Sequence, residues 1–346
     1  MPELHCEIDF PAQLRAQAEI VCAAALSHDG VEPLSEQAAA LIWADPSATL
    51  LHAWVTDDGR LVGYGNVDAR RIPTIECVVH PTARNQGSGE KLLRALLDAA
   101  LRISPSDTDT STASTDGDES LDQRPMVWSH GDLPASRHLA ERLDLERSRG
   151  LLRMSCPADS LIVNLPDLAT GIDIISLAEA DARFGQDTID AEMLHVNNAA
   201  FSWHPEQSGW TVDDILSHRE EPWFASEECF VALVTDDTAY HRSQPQVAGF
   251  VWTKLHGVTD TTPAGTAGEL YLVGVDPEIQ GKRIGTVLTS LALRRLAARG
   301  VPELILYVEG DNAAALKVYE RNGFTAARCD VAYRCDADDP SLLSAR

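Results

Sequence analysis

Positive charge is scarce in this chain. Its 346 residues carry 28 Lys and Arg against 53 Asp and Glu, a formal charge of −25 with a pI near 4.7. A surface that acidic repels phosphodiester backbones and anionic headgroups, so no nucleic-acid or membrane partner is expected. Cationic or neutral small molecules suit it better. Long apolar runs are missing too: no stretch approaches the ~18–20 uninterrupted apolar residues of a bilayer span. The start, Met1-Pro2-Glu3-Leu4-His5-Cys6, has no basic segment leading into an apolar one, so no secretory leader is expected. The seven cysteines (Cys6, Cys22, Cys77, Cys156, Cys229, Cys329, Cys335) are odd in number, scattered, and never spaced Cys-x-x-Cys. That argues against a disulfide scaffold and against a metal site, and fits reduced thiols in a cytoplasm. Cys329 and Cys335 read as two buried strand cysteines.

What is present is an ordinary globular mixture, 44% apolar and 23% charged, in a chain long enough for two domains of ~150 residues. Ser104 to Arg124 is almost entirely Ser, Thr and acidic residues. It cannot bury apolar area and reads as a disordered surface insertion, 104–124. Pro166 and Asp167 break the pattern ahead of Ile172-Asp173-Ile174-Ile175, which sets a first domain over 1–156, a linker over 157–170 and a second domain over 171–346. The first domain is expected to hold a helix over about 12–27, strands near 50–55, 61–67 and 74–79, a helix over 89–103 and a strand at 126–128. In the second, helices around 187–201 and 212–218 precede strands near 230–234, 247–254 and 269–275. A helix over 284–299, a strand over 304–308 and a helix over 313–322 follow. Strands followed by alternating helices and strands argue for an α/β fold with a mixed sheet.

The two halves repeat one another. Val79-His80-Pro81-Thr82-Ala83-Arg84-Asn85-Gln86-Gly87-Ser88-Gly89 opens a helix containing Leu92. Val275-Asp276-Pro277-Glu278-Ile279-Gln280-Gly281-Lys282-Arg283-Ile284-Gly285 opens one containing Leu288, each position 196 residues after its counterpart. A strand ending in Val-x-Pro, then Arg/Gln-x-x-Gly-x-Gly at a helix start, has a physical use. Glycines let the backbone come close, and the unpaired N–H groups of the first turn point outward at the positive end of the helix dipole, which suits a pyrophosphate. A tight connection explains one such turn; two copies, each between a strand and an apolar helix, favour phosphate binding. In the second copy Arg283 stands where the first has Gly87, which gives up a glycine's freedom and adds a cation.

These loops resemble those of the GNAT acetyltransferases, whose cofactor loop reads Arg/Gln-x-x-Gly-x-Gly/Ala. Downstream, Asn312-Ala313-Ala314-Ala315-Leu316-Lys317-Val318-Tyr319-Glu320-Arg321-Asn322-Gly323-Phe324 is similar to the family's Asn-x-x-Ala-x-x-x-Tyr-x-x-x-Gly-Phe. The resemblance implies two tandem GNAT domains, each a mixed, mostly antiparallel sheet flanked by helices, with acetyl-CoA as co-substrate. It implies Tyr319 as the acid that protonates the departing thiolate. Glu269, on the strand leading into the loop, would be the base that strips the acceptor ammonium. Cofactor contacts are implied for Cys77, Val78, Val79, Asn85, Gln86, Gly87, Ser88, Gly89 and Glu90 in the first half. In the second they are Val273, Gly274, Val275, Gln280, Gly281, Lys282, Arg283, Ile284, Gly285, Thr286, Asn312, Ala313, Ala314, Ala315, Leu316 and Lys317.

Further segments, Gly30-Val31-Glu32-Pro33-Leu34-Ser35-Glu36-Gln37, Val196-Asn197-Asn198-Ala199-Ala200-Phe201, His204-Pro205-Glu206-Gln207 and Trp252-Thr253-Lys254, resemble tandem members of the family that use a small-molecule thiol pseudodisaccharide acceptor. That likeness implies acceptor contacts at Glu36, Glu206, Lys254, Glu269 and Tyr307; a monomer is expected. The repeat itself puts Pro73 at the position of Glu269. Aligning Trp128 with Tyr307 puts Ala140 at that of Tyr319. The first half therefore keeps a cofactor-like loop without base or acid, and catalysis is expected in the second. Two rivals remain at this level: an acetyltransferase for another small amine or a protein N-terminus, and a non-catalytic acyl-CoA-binding regulator.

Overall fold

The computed structural model describes residues 2–47, 50–70, 72–102, 124–163, 165–204, 207–235, 245–258 and 265–335. The expected insertion at 104–124 lies outside them except for Arg124. The described residues form two compact units, one from Met1–Leu151 and Cys329–Arg346, the other from Leu152–Arg328. Within 157–170, expected as a linker, Ala158 N donates to Pro302 O at 3.0 Å and Ile162 N to Asn322 O at 3.1 Å, both partners in the second unit.

In the first unit, β1 (Glu3–Glu7), β2 (Leu50–Asp57), β3 (Arg60–Asp68) and β4 (Thr74–Val79) form an antiparallel meander. β5 (Met126–Ser129) then joins β4 in parallel. The end of β12 (Thr325–Cys335) runs antiparallel to β5. The helix α1 (Ala12–Asp29), stopped by left-handed Gly30, buries Ala18, Val21 and Ala25 with Phe10, Trp54 and Tyr64 on one face. On the other face α3 (Ser88–Arg102) buries Leu92, Leu93, Leu96, Leu97 and Ala100 against Val55, Val67 and Ile75. Gly65 permits that approach, since a Cβ there would lie 2.7 Å from Leu96. The short helix α2 (Glu36–Ala40) starts at Ser35, whose hydroxyl caps it by accepting from Ala38 N, and α4 (Pro134–Arg142) follows β5. The strand β6 (Leu145–Pro157) comes next in the chain. Cys335 is buried as expected, whereas Cys329 is only half-buried because its thiol faces Arg147 at the strand surface.

The second unit repeats the plan. β7 (Ile172–Ser176), β8 (Phe230–Val234), β9 (Val247–His256) and β10 (Ala267–Val275) are antiparallel, and β11 (Glu303–Glu309) is parallel to β10. Helix α8 (Ile284–Ala298) packs on one face, near Gly249 and Gly268. The other face carries α5 (Leu177–Phe184), α6 (Gln186–Ala200) and α7 (Val212–Arg219). The helix α9 (Ala313–Arg321) follows β11. The 196-residue offset carries Ser88–Arg102 onto Ile284–Ala298 end to end, and the offset of 179 carries Pro134–Arg142 onto Ala313–Arg321. The sheet is thus a mixed, mostly antiparallel α/β architecture present twice. Among the described residues no helix is long and apolar enough to cross a membrane, and no cluster of metal-ligating side chains occurs.

A buried charge network ties the first unit together. Glu76 on β4 accepts from Ser35 N at 2.6 Å, from Ser35 Oγ at 2.7 Å and from His130 Nε2 at 3.0 Å. His130 Nδ1 lies 3.3 Å from Asp330 on β12, which also accepts from Gly131 N at 2.7 Å. Burial alone lowers an imidazole's pKa, but bonds and charges from Asp330 and Glu76 outweigh it and push His130 up to about 9. An unfolded histidine sits near 6.5. The stabilisation is therefore complete below about pH 6.5 and disappears as pH rises through about 9, with a slope of up to ~1.4 kcal/mol per pH unit. His130→Gln is expected to lower stability by roughly 3–5 kcal/mol at pH 7, because two buried carboxylates lose their cation. It should also flatten the loss of stability between pH 7 and 9.5. Denaturant melts across that range check it; a variant with the parental pH slope would show that His130 is neutral in the fold.

Candidate active site

The site is built around an interruption in β10. This strand pairs in parallel with β11 through Gly268–Leu304, Glu269–Ile305 and Leu270–Leu306. Its antiparallel register with β9 then shifts between Leu270 and Leu272. Tyr271 is the extra residue of this bulge, so Tyr271 and Leu272 both pack against the α6-side core, while Leu270, Val273 and Val275 belong to the α8-side core. Past the bulge the backbone of 272–275 has no register partner on β11, leaving unpaired strand groups. In the first unit β4 also leaves β5 early, after Ile75–Val127, but its register with β3 is unbroken.

Beyond this gap lies the loop before α8. Gly281 and Arg283 are left-handed, with φ of +87° and +62°. In the first unit Asn85 and Gly87 occupy the matching positions with φ of +59° and +83°. The halves have exchanged which position carries glycine while keeping one turn; Arg283 therefore preserves the loop geometry, at a backbone cost of about 1 kcal/mol. Gln280, Gly281, Lys282 and Arg283 are exposed, with Val273, Gly274 and Val275 leading in, and Gly285 and Thr286 in the first turn. A Cβ on Gly285 would press on Val275 at 3.3 Å. Lys282 and Arg283 have no ion-pair partner among the described residues, so outward N–H groups and two cations face solvent together, a cradle that fits a diphosphate.

The first loop differs in charge. Arg84 is held by Asp29 through two bonds of 2.8 and 2.6 Å. Glu90 is paired with Arg94 and Arg142. Asn85, Gln86 and Gly87 are exposed, Gly89 is half-buried, and Ser88 is buried with no hydrogen-bond partner for its hydroxyl, a polar atom at a helix start that a bound anion would satisfy. Cys77, Val78 and Val79 lead in along β4.

On the α6 side of the second sheet, Glu269 is buried, 6% exposed, directly opposite Lys254 on β9. Lys254 Nζ lies 5.3 Å from the Trp223 ring centre and 5.8 Å from that of Tyr271. Tyr271 in turn donates to His218 Nε2 at 3.3 Å, since His218 Nδ1 is committed to Asp214 O at 2.8 Å. Tyr307, 39% exposed, points to the same face two residues beyond Ile305. The α6 segment Asn197-Asn198 holds the loop after it: Asn197 donates to Gln207 O at 3.0 Å, and Asn198 donates to Trp210 O and accepts from Trp210 N. His204 in that loop lies 3.8 Å from Glu309 of β11. Glu206 itself lies outside the described residues.

Tyr319 sits on α9, half-buried against the α8-side core with its ring 6.3 Å from Phe324, and burial pushes its phenol up to about 12. The phenol is therefore protonated at neutral pH. Asn312 caps its helix by accepting from Ala315 N at 3.1 Å, so that Ala313, Ala314, Leu316 and Lys317 form the first turns. The structure brings Lys254, Glu269 and Tyr307 onto one face, places Tyr319 on the opposite one, and puts Glu36 in the first unit, exposed at the start of α2. Pro73 precedes β4, and Ala140 is a core residue of α4. Sequence reasoning missed His256, Trp223 and Tyr271. The period of two along β9 could have flagged His256, two residues beyond Lys254.

A sheet plan present twice, each copy leading through two left-handed residues into a helix start that fits a diphosphate, is the plan of the acetyltransferases that this chain matches. The Acetyltransferase (GNAT) family model matches residues 19–104 and 196–324. The GNAT protein of Sphaerobacter thermophilus superposes with a TM-score of 0.65 at 20% identity, over 96% of this chain and 95% of that one. A tandem GNAT protein from the clavulanic acid pathway does so with a TM-score of 0.61 at 16% identity, over 97% and 99%. The relatives in sequence are more specific. The mycothiol acetyltransferase of Saccharopolyspora erythraea is 40% identical over 82% of this chain and 84% of its own. That of Mycolicibacterium gilvum is 38% identical over 91% and 92%. The chain belongs to the GNAT acetyltransferases and, within them, to the mycothiol acetyltransferase family; it is an N-acetyltransferase.

Arg283→Gly should separate backbone from charge. Stability should stay within about 1 kcal/mol of the parent or rise slightly, as left-handed strain is relieved. Affinity for coenzyme A should fall roughly tenfold as a cation leaves the cradle. Thermal melts and calorimetric titration read both quantities, and unchanged affinity would remove Arg283 from the phosphate site.

Proposed function

We propose that the second unit transfers the acetyl group of acetyl-CoA to the cysteinyl amine of cysteinyl-glucosaminyl-inositol, giving mycothiol, in the cytoplasm. The observation that carries this is the pair of groups flanking the gap in β10: a buried carboxylate, Glu269, on one face and a phenol held protonated, Tyr319, on the other. Acetyl-CoA supplies the activated thioester when bound. The chain supplies the rest. The cradle of Gly281, Lys282, Arg283 and Gly285 holds the diphosphate, and the open edge of 273–275 lets an extended arm pair with the strand. Glu269 takes a proton from the acceptor's ammonium, since only the neutral amine has a lone pair for attack. Tyr319 gives a proton to the departing sulfur. Lys254 and Tyr307, with Glu206, would meet the carbonyl and hydroxyls of the pseudodisaccharide.

The first unit offers no such pair, with Pro73 and Ala140 in those places. Its role in this reading is to hold a second acetyl-CoA through Asn85, Gln86, Gly87, Ser88 and Gly89, more weakly because Arg84 is already committed to Asp29.

Turnover of acetyl-CoA with cysteinyl-glucosaminyl-inositol, against a panel of other amines, tests the acceptor. Preference for another amine by a decade or more in kcat/KM would reassign it. Tyr319→Phe should lower kcat by about 10²-fold with acetyl-CoA affinity retained, and Glu269→Gln by a similar factor, most severely at low pH where the amine is charged. Steady-state kinetics from pH 6 to 9 decide both; parental turnover in either variant dismisses that residue from the chemistry. Gly89→Glu, a carboxylate set against the first loop, should reduce the acetyl-CoA bound at saturation from two equivalents to one. Two equivalents in the variant would rule out that loop as a site.

A further inference from the structure

Glu269 has a second neighbour that the mechanism above leaves unused. Nε2 of His256 lies 2.6 Å from Glu269 Oε2. The strand register explains the meeting: Glu269 faces Lys254, Ala267 faces His256, and both pairs project to the α6 side. The methyl group of Ala267 leaves room for the imidazole to lean along the sheet toward Glu269. His256 is also held at its backbone. Its carbonyl accepts from Thr266 N at 2.7 Å and from Thr266 Oγ1 at 3.3 Å. Gly265 makes this turn possible, because a Cβ there would lie 2.6 Å from the same carbonyl. The ring is therefore presented from a pinned hairpin end.

We infer that His256 is a positioning residue for the base: its Nε2–H donates to Oε2 of Glu269 and so turns Oε1 toward the acceptor's amine. The inference rests on the reading of Glu269 as the base. A glutamate's terminal torsion is broad and nearly two-fold, so a carboxylate without a fixed donor presents either oxygen over a wide range of angles. One short bond from a pinned ring removes that freedom, and no described residue bonds Oε1. The proton balance is simple. The ammonium proton passes to Oε1 with the Nε2–H bond intact and later leaves to solvent, while the second proton, lost from the attacking nitrogen as the tetrahedral adduct collapses, replaces the one Tyr319 gives to the departing sulfur. Lys254, opposite Glu269 in the register, has its ammonium over Trp223 and Tyr271.

Four variants of the full-length enzyme test this: His256→Ala, His256→Gln, Glu269→Gln, and the double variant His256→Ala with Glu269→Gln. His256→Ala should lower kcat about tenfold with the KM for acetyl-CoA unchanged, as expected for a lost near-attack geometry. His256→Gln, whose amide N–H can reach the same oxygen, should recover a substantial part of that loss. In the Glu269→Gln background, removing His256 should cost no more than about twofold, since a positioning residue acts only through its partner. Parental kcat in His256→Ala, a Gln variant no better than Ala, or an undiminished loss in the double variant would each overturn the inference while leaving Glu269 as base. Parental turnover in Glu269→Gln would overturn the base and this inference together.

Discussion

The second unit depends on one interruption: the bulge at Tyr271 and the end of β10–β11 pairing at Leu270. A continuous sheet has no place for an extended ligand, because every backbone group is already matched. Three features meet at the inserted residue. It reverses the facing of everything after it, so that Val273 and Val275 join the α8-side core. It falls where β10 leaves β11, so the open edge of 272–275 leads into the loop before α8. It also leaves Glu269 as the last paired α6-side residue before the gap, with its neighbours fixed by register rather than by loop conformation. The carboxylate, its opposite lysine and the diagonal histidine thus sit on rigid strands.

Duplication reused the frame and changed its charges. Both units keep two left-handed residues before the helix, and they exchange which of the two is glycine. Both leave the β-strand pair early. The first unit ties its loop arginine to Asp29 and its own Glu76 to a buried histidine, so charged groups there stabilise structure. The second leaves Lys282 and Arg283 exposed and sets Glu269 beside the gap. In a chain of net charge −25, two cations with no ion-pair partner among the described residues stand out against the general field at one helix start. The rest of the acidic surface suits a cationic acceptor.

The repeated loop was readable because glycines, a strand-end proline and an apolar helix recur at fixed spacing, and the Tyr319 helix because its motif is local. The bounds of α3 and α8 follow from the same periodicity. β6 was not readable, and β12 only at Cys329 and Cys335. They carry Arg147, Arg149, Arg153, Arg328, Asp330 and Arg334, which hide the alternation that a half-buried strand displays, and their partners lie far away in sequence. Nor does any proline or glycine mark the bulge at Tyr271.

The sequence by itself determined the duplication, the two helix-start cradles, and which half retains a carboxylate and a phenol at matching positions, since all of these are set by spacing along the chain. Only the tertiary structure decided that Tyr319 and Glu269 lie on opposite faces of the broken strand, that Arg283 takes a glycine's conformation, that Ala158 and Ile162 bond within the second unit, and that His256 reaches Glu269. Each of those follows from strand register and from the direction a side chain leaves its strand, quantities that arise only when distant segments pair.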